Sequence, residues 1–134
     1  MMQKLEPLLL ILMAISLGLN GLFMLWDPIG WYEAVPGVTR TGPPNAHFIR
    51  DIGLIYVMVA GLLGLAVARP AQRRFLTGIA ALWISGHGLF HVWEWLAGVC
   101  TFDQFMTDAP GVILPAVILT ILALLPPQRT QTHV

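Results

Sequence analysis

Long apolar runs separated by short polar stretches dominate the chain. Four stand out: Leu5 to Trp26, His47 to Ala68, Phe75 to Gly98 and Pro110 to Leu125. A membrane-crossing helix needs about 20 mostly apolar residues, and the first three runs meet that length. The fourth is shorter, so it requires a thin part of the bilayer or extension into its flanks. Pro110 suits a first helical turn with Thr107 or Asp108 near the cap. Pro115 is placed to kink that helix, and Pro126-Pro127 to end it. The first run is too long for a secretory signal core of about 7–15 residues, and no small-x-small cleavage site follows it. It reads as a retained membrane helix. The pattern predicts an all-α fold, a four-helix transmembrane bundle forming a single domain over residues 1–134.

The connection from 27 to 46, DPIGWYEAVPGVTRTGPPNA, is long and rich in Pro and Gly. Its length and its aromatics Trp31 and Tyr32 are compatible with a polar linker or with a folded cap over one face of the bundle. Small residues recur at four-residue spacing: Ala60, Gly64 and Ala68, then Ala14 and Gly18, then Ala81 and Ser85. Such spacing lets helix backbones approach closely within lipid. No internal repeat is evident.

Composition agrees with the pattern. The chain is 57% hydrophobic and 10% charged, against roughly 25% charged in a soluble domain. Its net charge is zero, so nothing points to nucleic acid as a partner. The lipid bilayer is the expected surrounding. The single cysteine, Cys100, has no internal disulfide partner and reads as structural. With four spans, Lys4, Arg69, Arg73, Arg74 and Arg129 share one side, and only Arg40 and Arg50 lie on the other. The excess of basic residues places both termini in the cytoplasm. Trp26, Trp31, Trp93 and Trp95 gather near the outer interface as an aromatic belt would. Arg73-Arg74 reads as a topology and lipid-headgroup anchor.

The third run carries the candidate chemistry. In SGHGLFHVWEWL, Ser85 to Leu96, His87, His91 and Glu94 fall on one helix face, because a helix turns about 100° per residue. The second run supplies His47, Arg50 and Asp51 near its outer end, and Asn20 of the first run falls at the same depth. An antiparallel topology therefore brings polar residues from three helices to one level. Charged groups in a membrane are costly and pair or face the interior, so Arg50 is expected to pair with Glu94 or Asp51. The cluster Asn20, His47, Arg50, Asp51, His87, His91 and Glu94 is the candidate ligand-binding site. A metal would draw on His87, His91, Glu94 and His47, a donor set suited to zinc, iron or copper rather than calcium. A b-type haem would use His87 or His91 with a second ligand from another helix, since both lie on one face. Without a metal or haem, the same residues make a structural polar network.

The four-span layout and the stretch NAHFIRDIGLIYVMVAG, Asn45 to Gly61, resemble small bacterial inner-membrane proteins of the broad DoxX-like type. The likeness covers most of the chain in topology and the HFIRD segment in residues. That family takes its name from a subunit associated with a quinol oxidase. The resemblance implies a multi-pass protein of the bacterial inner (plasma) membrane with a membrane redox complex as partner. It carries no catalytic residues over to this chain. Three functional readings follow: an accessory or ligand-binding membrane protein, a metal- or haem-binding oxidoreductase component, and a transporter subunit, which would need a homo-oligomer to complete its path.

Overall fold

The computed structural model describes residues 2–125, so Pro126, Pro127 and Arg129 lie outside the described residues. Five helices follow in order: α1 (Met2–Trp26), α2 (Pro28–Ala34), α3 (Ala46–Ala68), α4 (Arg73–Leu96) and α5 (Phe102–Leu124). Short 3-10 turns cover Val38–Arg40 and Pro70–Gln72, and no strand occurs among the described residues. α1, α3, α4 and α5 are each long and apolar enough to cross a membrane. Their outward faces remain apolar: Leu19, Leu54, Leu82 and Leu114 are all more than half exposed. Apolar surface on that scale suits acyl chains rather than water. This is a multi-pass membrane protein whose outer surface meets lipid.

The fourth span differs from its predicted extent. α5 starts at Phe102 rather than Pro110 and runs 23 residues, so it needs no thin bilayer. Its start is set by a capping box. The Thr101 hydroxyl accepts from the Gln104 N–H at 3.3 Å, and the Gln104 side-chain oxygen accepts from the Thr101 N–H at 2.8 Å. Pro110 and Pro115 both lie inside the helix. A long apolar helix held by its neighbours tolerates the lost ladder bonds.

The long helices form two close antiparallel pairs, α1 with α3 and α4 with α5. α3 also packs on α4, whereas α1 touches α5 only sparsely. Glycines set the closest approaches. A methyl added at Gly21 would stand 2.7 Å from the Gly53 carbonyl oxygen, and one at Gly53 would stand 2.9 Å from Met24 Cβ. Gly18 faces Ala60, and Gly88 of α4 faces Ala116 of α5. The Ser85 and Thr120 hydroxyls join α4 to α5 at 2.7 Å. Gly64 and Ala68, from the same small-residue series as Ala60, are exposed instead.

At the end carrying the 69–72 turn, a second polar cluster ties all four spans together. The Glu6 carboxylate of α1 is 5% exposed and lies 3.2 Å from Arg74 and 4.0 Å from Arg73 of α4. Arg73 Nε donates to the Ala66 carbonyl of α3, and Arg74 donates to the Leu122 carbonyl of α5. The arginine pair read as a headgroup anchor thus turns inward. Its partner, Glu6, lies two spans away near the start of the first apolar run, so the sequence alone gives no pairing. Leu10, Leu63 and Leu119 are fully buried.

Candidate ligand-binding cavity

The opposite end of the bundle is covered by the segment between α1 and α3, which folds as a cap. Asp27 starts α2 by accepting from the Gly30 N–H at 2.9 Å. Trp31 Nε1 donates to Asn20 Oδ1 of α1 at 2.9 Å, which pins α2 to the bundle. The Tyr32 hydroxyl donates to the Gly42 carbonyl at 2.6 Å and closes the rest of the loop. Gly37 has φ +90, a conformation other residues rarely adopt. It lies so close to α5 that a methyl there would stand 2.3 Å from the Asp108 carboxylate.

Beneath the cap is a cavity of about 730 Å³, lined by α1, α2, α3, α4 and α5 together. That volume falls within the range of about 300–1,000 Å³ found for small-molecule sites. Its wall is mainly apolar and aromatic, with Met24, Trp31, Phe48, Ile52 and Tyr56. Asn20, His87, His91 and Asp108 are its main polar groups. Ser16 on α1 and Gly111 on α5 line it and are also exposed. The cavity therefore reaches the flank of the bundle along the sparse α1–α5 seam.

The histidines of α4 stand in a ladder of rings. Trp83 stacks on His87 at 5.2 Å and 10° between planes, and His87 meets His91 edge to face at 4.9 Å. Tyr56 of α3 closes on Trp83 at 5.2 Å. His91 Nδ1 faces two carboxylates, Asp108 at 3.5 Å and Glu94 at 3.8 Å. Carboxylates beside one ring nitrogen favour the tautomer that carries its proton there.

The structure divides the predicted cluster. Asn20, His87 and His91 line the cavity, and Glu94 stands behind His91. His47, Arg50 and Asp51 reach the expected end of α3 but face outward. His47 Nε2 pairs with Asp51 at 3.3 Å, with the two side chains 82% and 50% exposed. Arg50 Nε donates to the Leu25 carbonyl at 3.3 Å, and among the described residues no ion pair joins it to Glu94 or Asp51. The reason is rotational. Phe48, Ile49, Ile52 and Tyr56 occupy the cavity face of α3, and at about 100° per residue that turns positions 47, 50 and 51 away.

Asp108 is the site residue that a helix starting at Pro110 would leave near its cap, with Thr107, instead of in the cavity wall. The signal that relocates it is TFDQ at 101–104. Read as a capping box, it puts Asp108 inside α5, able to face α4. Among the described residues no three His, Cys, Asp or Glu side chains gather to hold a metal ion. His47 faces away from the cavity, so it forms no cross-helix pair with His87 or His91. Cys100, in the turn after α4, has its thiol pushed above the usual cysteine range, first by partial desolvation and then by the carboxylates of Glu94 and Asp108.

Fold and cavity together define a class: a small multi-pass helical membrane protein with a capped chamber at one end. Comparison with protein-family models, with curated proteins and with solved structures finds no match.

Proposed function

We propose that the protein is an accessory, ligand-binding protein of a bacterial inner membrane that holds a membrane-dissolved small molecule in the capped cavity. The observation that carries this reading is the chamber itself: about 730 Å³, walled by every helix, and supplied with a few polar groups on an apolar wall. Native mass spectrometry of the full chain, purified in mild detergent with bacterial lipid extract, tests it. A small apolar adduct at one copy per chain is expected, and it should be lost in Gly111→Trp, which puts a large side chain on the cavity wall where a Cβ meets nothing within 4 Å. Equal adducts on both proteins, or none on either, would refute the reading.

The proposed orientation has both termini in the cytoplasm and the cap outside. Five of the seven basic residues on the terminal side support it. The resemblance to DoxX-like proteins supports a membrane redox complex as partner. Cys100 provides a check without any engineered site. A membrane-impermeant maleimide should label it from outside intact cells, slowly at neutral pH and faster as pH rises, because only the thiolate reacts. Glu94→Gln should speed labelling at neutral pH by removing one of the carboxylates that hold the thiol protonated. Labelling only after cell lysis would reverse the orientation.

A further inference from the structure

Resting on the reading of the chamber as a ligand site, we infer that its ligand is a lipophilic organic cation, an amine or onium centre carried on an apolar body. The first argument is the inventory of charge. Among the described residues no Lys or Arg lines the cavity, and phosphate or carboxylate ligands are ordinarily held by those side chains. The charged groups at the cavity are the Asp108 carboxylate on the wall and Glu94 behind it, both directed at His91 Nδ1. With no Lys or Arg in the described lining to offset them, these carboxylates give that wall its negative character.

The second argument is the aromatic content. Trp31 and Tyr32 of α2 and Phe48 and Tyr56 of α3 line the same space. Ring faces attract cations, most strongly when water is excluded. A carboxylate combined with several aromatic rings recognises an organic cation better than a neutral or anionic molecule of the same shape. The third argument is access. Ser16 and Gly111 open the chamber to the flank of the bundle, at a level set by the spans of α1 and α5. A ligand arriving there comes from the bilayer, which selects an apolar body on the charged centre. The ladder Trp83, His87, His91 holds the imidazoles in place by ring contact, so they form a fixed wall.

Two ions of matched shape and opposite charge separate the alternatives. Equilibrium dialysis of the full chain in mild detergent should show saturable binding of tetraphenylphosphonium, and binding of tetraphenylborate at least about tenfold weaker. Asp108→Asn should weaken the phosphonium about tenfold while leaving the borate no weaker. Asp108→Glu should retain most of the preference. Asp103→Asn, an exposed acid on α5 outside the cavity lining, should leave both unchanged. Because the wild-type comparison needs no variant, poor folding of Asp108→Asn does not remove the test. Equal binding of the two ions, or a preference for the borate, with both blocked by Gly111→Trp, would overturn the cation inference and leave the chamber a ligand site. Failure of Gly111→Trp to reduce binding of either ion, or no binding at all, would overturn both.

Discussion

Glu6→Gln should lower the stability of the bundle by about 3–5 kcal/mol, the largest loss expected from any single polar substitution in this chain. Glu6 is 5% exposed and sits between Arg73 and Arg74, which are themselves 11% and 24% exposed. Removing its charge takes away the carboxylate that both guanidinium groups face. Those arginines also hold the carbonyls of Ala66 and Leu122, so the disturbance reaches α3 and α5 as well as α1 and α4. The measurement is unfolding in mixed micelles of mild and denaturing detergent. Adding Arg74→Gln to Glu6→Gln should cost less than the sum of the two single changes, since each removes the other's partner. A loss below about 1 kcal/mol for Glu6→Gln, the value of an exposed pair, would refute the staple.

Gly21→Ala should destabilise by about 1–3 kcal/mol, although it adds only one methyl group. That methyl would stand 2.7 Å from the Gly53 carbonyl oxygen and 2.8 Å from Tyr56 Cβ. Neither the α3 backbone nor a Cβ can rotate away, so α1 and α3 must separate. Separation also disturbs Asn20, which holds the cap through Trp31, and Tyr56, which lines the cavity. Ligand binding should therefore weaken together with stability. Gly61→Ala and Gly64→Ala provide the contrast, because a methyl at either meets nothing within 4 Å. Both should match or slightly exceed the wild type, since Ala favours a helix more than Gly does. If Gly21→Ala melts with those two, the close approach of α1 and α3 does not limit stability.

These variants show where reading the chain succeeds and where it stops. The four spans follow from hydrophobic length, which is local information, and α1 and α3 match their runs to within a few residues. The His87–His91 face follows from helical period and survives as a ladder of rings lining the cavity. Pro110 suits a helix start, but the box of Thr101 and Gln104 sets the start of α5 eight residues earlier, which keeps Asp108 inside the helix. Depth alone offers Arg50 a partner in Glu94 or Asp51, but depth does not fix rotation. The apolar side chains of α3 turn toward the chamber and take Arg50 outward to the Leu25 carbonyl.

By itself the sequence determined that the chain crosses a bilayer as helices, how many times, and that His47, Arg50, His91 and Glu94 gather toward one end. Hydrophobic length and helical period act within one segment, so both can be read from one segment. Only the tertiary structure decided which faces meet: Gly21 against Gly53, Glu6 between two arginines, Asp108 beside His91, and a cap pinned by Trp31 over a chamber. Those pairings depend on how each helix is rotated about its axis. Rotation is set by close packing summed over every neighbour, and no single stretch of sequence contains that sum.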